Sequence, residues 1–143
     1  LWTQPSVVFH GKYHDLSDVA INPRPLQQPI PIWVGGRADA ALERAGRLAD
    51  GWVPSSGTDL GGMIEMIARS AEAAGRSIDD VLIAPRIMDP LEGGPETWLT
   101  LAEEWASLGA RCVFLNTRDL GLKTLQDHLD LGERFRDTMQ TLG

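Results

Sequence analysis

Pro29-Ile30-Pro31-Ile32-Trp33-Val34-Gly35-Gly36-Arg37-Ala38-Asp39-Ala40-Ala41-Leu42-Glu43-Arg44-Ala45-Gly46-Arg47-Leu48-Ala49-Asp50-Gly51-Trp52-Val53-Pro54 is the stretch that decides the fold. It opens with a short apolar run, Pro29 to Val34, of the kind buried on both faces of a sheet, and it stops at two glycines. From Asp39 to Ala49 the apolar residues Ala41, Leu42, Ala45, Leu48 and Ala49 recur at three- and four-residue spacing. Glu43, Arg44 and Arg47 take the other face, which makes an amphipathic helix. Asp50-Gly51 breaks the helix, and Trp52-Val53-Pro54 forms a second very short strand leading into the polar turn Ser55-Ser56-Gly57-Thr58.

The same alternation continues to the C-terminus. A helix is expected from about Leu60, capped by Asp59 or Thr58 and ended by Gly75, with Leu60, Ile64, Ile67, Ala71 and Ala74 on one stripe. Val81-Leu82-Ile83-Ala84, extending toward Ile87, is the third strand. A third helix opens at Gly93-Gly94-Pro95, turns Trp98, Leu101, Ala102, Trp105 and Leu108 inward, and ends at Gly109. Cys112 to Leu115 is the fourth strand, and the last helix, from about Lys123, places Leu125, Leu129, Phe135 and Met139 toward the core. Before all of this, residues 1–28 read as an irregular segment leading into the first barrel strand. Phe9-His10-Gly11-Lys12-Tyr13 is a short strand-turn there, and Asn22-Pro23-Arg24-Pro25 can continue neither a helix nor a central strand.

Strands too apolar for a sheet with one wet face, joined by helices long enough for crossovers, imply a parallel sheet covered by helices. Four βα units in 143 residues match half of a (β/α)8 TIM barrel, which needs roughly 250 residues. The whole chain, 1–143, is then a single partial domain, the C-terminal half barrel. An open flavodoxin-like parallel sheet is the alternative, because the same alternation serves it.

Composition narrows the partners. A formal net charge of -7 with no offsetting Lys/Arg cluster argues against nucleic acid or an anionic membrane and for a small-molecule substrate or another chain. No apolar stretch is long enough to span a bilayer. The single cysteine, Cys112, lies in an apolar run, which is the setting of a buried thiol and fits a reducing, cytoplasmic location. His10 and His14 flank Gly11 in a non-helical segment and His128 sits in an amphipathic helix, so no metal site is expected. No Ser/His/Asp set, Cys-x-x-Cys or paired-carboxylate spacing points to another catalytic class. The start at Leu1 is consistent with a piece of a longer protein.

Chemistry concentrates at Gly35-Gly36-Arg37-Ala38-Asp39. A strand that ends at two glycines and opens directly into a helix leaves backbone N–H groups at the positive end of the helix dipole, and no side chain keeps an anion away. Taken alone, a Gly-Gly pair serves equally as a tight strand-helix turn with no ligand.

The block from Pro29 to Pro54 resembles the luciferase-like monooxygenase superfamily, as do Asn22-Pro23-Arg24-Pro25, the Phe9-to-Tyr13 segment and Leu115-Asn116-Thr117. Within it the chain looks most like the deazaflavin (F420)-dependent oxidoreductase branch, with FMN-dependent relatives sharing these motifs. The resemblance implies a cofactor-phosphate site on the backbone amides of Gly35, Gly36, Arg37, Ala38 and Asp39, for F420 or alternatively FMN. Ala38 stands where the family often has serine, which removes one hydroxyl donor; the Arg37 guanidinium is a candidate replacement. Trp52, Ser55, Ser56 and Asn116, at strand ends that face the active site in barrels, are candidates for the substrate side, and Trp33 with Trp52 for pocket walls or core. The parent enzyme would move a hydride to or from an organic substrate, or perform monooxygenation with reduced flavin. Ring-lining and acid-base residues would come from the first barrel half, so no catalytic residue is nominated. The isolated chain would then be inactive on its own and would need the missing N-terminal half or self-association to cover its inner face. A non-catalytic phosphate-binding or subunit-interaction half barrel is the other class of reading.

Overall fold

A computed structural model of the chain describes residues 1–54, 59–88 and 93–142. Two compact units are present, Leu1–Pro31 and Ile32–Gly143.

The first unit is a hairpin rather than irregular chain. Strands β1 (Val7–His10) and β2 (Asp15–Val19) pair antiparallel, with Phe9 opposite Leu16 and His10 opposite Asp15. The turn is closed by the Gly11 N–H donating to His14 O at 2.8 Å. A Cβ on Gly11 would stand 2.5 Å from the Phe9 ring, so glycine is what lets the turn fold under that side chain. His10 Nδ1 and Asp15 Oδ1 lie 2.5 Å apart across the strands, and Ser6 donates to Asp18, which holds a positive φ of 54°.

The second unit alternates strand and helix: β3 (Trp33–Gly35), α1 (Asp39–Leu48), β4 (Gly51–Val53), α2 (Leu60–Ala73), β5 (Leu82–Ile83), β6 (Arg86–Ile87), α3 (Gly94–Ser107), β7 (Phe114–Leu115) and α4 (Leu125–Met139). Among the described residues its pairings are parallel, β3 with β4, β4 with β5, and β6 with β7. The expected third strand is present in two pieces because Pro85 has no N–H to give to a ladder. Its first piece bonds to β4, with Ala84 N donating to Trp52 O; its second serves β7, with Phe114 N donating to Pro85 O and Asn116 N to Ile87 O. Each strand joins beyond the previous one, and among the described residues there is none of the order reversal that a flavodoxin-like sheet requires. The fold is therefore α/β with parallel sheets.

Two apolar clusters hold the helices on one face of these sheets. The first joins Leu42, Ala45 and Ala49 of the α1 segment to Trp52, Ile67, Val81 and Ile83. Within it α1 and α2 touch at Gly46, where a Cβ would meet Ile67 O at 2.4 Å and Ala71 N at 2.8 Å. Arg76 fastens the far end of α1: its guanidinium donates to Gly46 O at 2.9 Å and Ala49 O at 2.8 Å, satisfying carbonyls that a helix C-terminus leaves open. The second cluster joins Ile87, Trp98 and Leu131, with Phe135 and Met139 packed against it.

Several expected inward positions face solvent instead. Leu48 is 63% exposed, because the buried arc of α1 runs through Gly46 and leaves Leu48 beyond its edge. Ala74 is exposed past the end of α2. Leu125 and Leu129 are exposed as well: burial of Leu131 sets the phase of α4, and a residue two positions away lies nearly opposite on a helix. The α4 N-terminus is closed by a capping box between Thr124 and Asp127.

Candidate functional site

The turn between β3 and α1 is built from behind. Trp52 on β4 is fully buried, and its indole Nε1 donates to Gly36 O at 2.8 Å, so the turn is tied to the core by its carbonyl. Gly36 has φ of +107°, a conformation that L side chains rarely adopt, and this is why glycine stands there. Gly35 is needed by no packing contact, since a Cβ on it would meet only Val53 O at 3.9 Å. Its glycine leaves the ground above the backbone open.

Ala38 is the N-cap of α1, in extended conformation and with no side-chain capping bond. Its carbonyl takes the Ala41 and Leu42 N–H groups at 2.7 and 3.1 Å. The N–H groups of Arg37, Ala38, Asp39 and Ala40 donate to no protein acceptor among the described residues, and the turn is exposed. Four orphan donors at a helix N-terminus, with the carbonyl of the second glycine turned inward to Trp52, form a surface that favours an anion.

Arg37 is exposed and makes no ion pair among the described residues, so its guanidinium is available at the rim. Asp39 offers its N–H to this surface, but its carboxylate is a like charge to any phosphate. The residue also borders an open groove between α1 and α2, shared with Glu43, Arg47, Arg69 and Ser70.

The other nominated residues do not all meet there. Trp52 is a strut beneath the turn, its side chain fully buried within the first apolar cluster. Ser55 and Ser56 lie outside the described residues. Asn116 follows β7 and is half-buried; its Nδ2 contacts Met88 O and Arg118 O, each at 3.4 Å, so it braces the ends of β6 and β7. Trp33 is 39% exposed on the sheet face opposite the helices, against Phe114. Cys112 is half-buried, and burial pushes its thiol pKa up, away from nucleophile chemistry. Sequence reasoning missed the role of Trp52; its only signal was a tryptophan in a short buried strand, which does not say where the N–H points.

A parallel α/β unit whose strand–Gly-Gly–helix turn leaves its N–H groups open defines the class. Its family follows from comparison: the luciferase-like monooxygenase model matches residues 1–88, and the chain belongs to that family. Among curated relatives, an F420-dependent glucose-6-phosphate dehydrogenase of Microbacterium testaceum is 31% identical across 76% of this chain and 33% of its own length. An FMNH(2)-dependent dimethylsulfone monooxygenase of Pseudomonas putida is 34% identical across 54% of this chain and 22% of its own. An uncharacterized protein of Mycobacterium tuberculosis is 46% identical across 48% of this chain and 24% of its own. The chain thus spans about a quarter to a third of the curated relatives it matches.

Among solved structures, the coenzyme F420-dependent tetrahydromethanopterin reductase of Methanopyrus kandleri superposes with a TM-score of 0.50 at 19% identity, covering 92% of this chain and 49% of that one. An F420-dependent secondary alcohol dehydrogenase, solved with an F420-acetone adduct, gives 0.51 at 14%, covering 96% and 49%. These two likenesses concern the fold.

Proposed function

We propose that this chain is the C-terminal half of a (β/α)8 barrel, a single partial domain that contributes the cofactor-phosphate site of an F420-dependent oxidoreductase acting on a small organic substrate. The observation that carries this reading is the turn at Gly36: four unengaged N–H groups at the start of α1, locked in place by the Trp52 indole. Sequential parallel strand order and coverage of about half of each F420-dependent structural neighbour support the half-barrel part. FMN is the second cofactor reading, favoured by the dimethylsulfone monooxygenase relative.

The residues present fit a phosphate group. Gly35 and Gly36 admit it to the backbone, the N–H groups of Arg37 to Ala40 donate to its oxygens, and the Arg37 guanidinium closes over its exposed side. Bound there, the reduced ring of such a cofactor supplies a hydride or an electron pair, while the protein fixes where the ring lies relative to the substrate. The chain's own contribution is anchoring: it fixes one end of the cofactor.

The test is a fluorescence-quenching titration of the chain with F420 and with FMN. Saturable binding of one of them, abolished by Gly36→Asp, which adds bulk and negative charge at the turn, supports the reading and names the cofactor. Binding unaffected by that substitution would place the phosphate elsewhere.

A further inference from the structure

The face of the sheets turned away from the helices has its own chemistry. Val34, Trp52, Ile83, Ile87 and Leu115 point into the helix-side clusters, so by strand alternation their neighbours Trp33, Gly51, Val53, Leu82, Arg86 and Phe114 point the other way. Trp33 lies across Gly51, whose missing Cβ would sit 2.5 Å from the indole, and its ring reaches Phe114 at 6.1 Å between centroids. Strands β3 and β7 do not pair, so this contact draws together side chains from the two outermost strands of the described set. Arg86, paired in register with Phe114, stands on the same face, exposed, with no hydrogen bond or ion pair among the described residues.

We infer that this face is the seat of a companion half barrel of different sequence, and that the companion presents a carboxylate to Arg86. The inference rests on the half-barrel reading above. The length argues for the occupant: each of the two solved neighbours is about twice the part that this chain covers. The charge argues for its chemistry. A guanidinium closed inside a barrel without a counter-charge carries a large desolvation cost, whereas a bidentate carboxylate offsets it. A second copy of this chain is the wrong occupant, because the same face would bring another Arg86 and, among the described residues that share it, no acidic one. Two like charges would then be enclosed between two aromatic pairs.

Sedimentation velocity on the full chain tests this with three species: the unaltered chain, Arg86→Leu and Arg86→Glu, each first checked for native far-UV circular dichroism. Arg86→Leu, freed of the charge, is expected to self-pair. The unaltered chain and Arg86→Glu are each expected to self-pair at least about tenfold more weakly, and their equimolar mixture to associate at least about tenfold more tightly than either alone. High salt should weaken the mixed pair and leave the Arg86→Leu pair intact. If Arg86→Leu stays monomeric, the charge of Arg86 is not what keeps two copies apart, and the carboxylate requirement is overturned. If it pairs while the mixture gains nothing, or if the unaltered chain pairs as tightly as Arg86→Leu, the half-barrel reading stands and the carboxylate requirement is overturned.

Discussion

The Trp52 indole N–H donates to the Gly36 carbonyl at 2.8 Å, joining a fully buried core side chain to the one residue of the β3–α1 turn with a positive φ. The core of the unit and the turn are therefore one construction: the bond that buries the tryptophan N–H also ties the turn's backbone to the core. Trp52→Phe keeps most of the volume and removes the donor. It is expected to lower stability by about 1–3 kcal/mol in urea denaturation, the cost of an unsatisfied polar group, and to weaken cofactor binding more than it weakens the fold.

Ala38 caps α1 without a side-chain bond. Ala38→Ser should raise stability by about 1 kcal/mol and tighten phosphate binding, since the hydroxyl can cap the helix or donate to the anion. Ala38→Asp should stabilise the helix to a similar extent yet weaken anion binding by repulsion. Thermal denaturation and cofactor titration on the same two variants separate the effects.

Gly46 has no space for a side chain against the α2 backbone. Gly46→Val is expected to lose about 1–3 kcal/mol or more through forced separation of the helices, read as a fall in denaturation midpoint. The turn at Gly36 would shift with α1, so cofactor affinity should fall in parallel.

Arg76 bonds two carbonyls at the end of α1 through two different nitrogens. Arg76→Ala should cost about 1.5–3 kcal/mol. Arg76→Lys should recover only part of it, because a single ammonium does not reproduce the planar fork.

Asp127 accepts from the Thr124 and Lys123 backbone N–H groups at 2.8 and 3.0 Å, and with the Thr124 side chain these bonds hold its carboxyl below the ordinary aspartate range. The folded-state pKa is depressed, so the stabilisation is present above the unfolded value and is lost as pH falls through the folded one. The stability gap between the unaltered chain and Asp127→Asn should accordingly be widest at neutral pH and close on acidification, measured by urea denaturation across a pH series.

The order of elements was legible along the chain because apolar periodicity, capping residues and terminal glycines are local signals. Asp59 does cap α2, accepting from Gly62 N at 3.1 Å, and Gly75 and Gly109 do take positive φ after their helices. The turn between β3 and α1 was legible for the same reason, since two glycines between strand and helix are a local pattern. What failed were the inward faces assigned to Leu48, Leu125 and Leu129: several arcs of a helix are apolar enough to be buried, and only the neighbour chosen by packing decides among them.

By itself the sequence determined the α/β alternation, the family to which the chain is similar and the place where a strand stops at two glycines and opens into a helix. Tertiary structure alone decided that Trp52 braces the turn, that Gly46 sets the distance between α1 and α2, and that Arg86 shares a sheet face with Trp33 and Phe114. The division has a physical cause. Backbone conformation and helix ends depend on residues a few positions apart, whereas the direction of an indole N–H or the company of a guanidinium depends on strands brought together across the sheet.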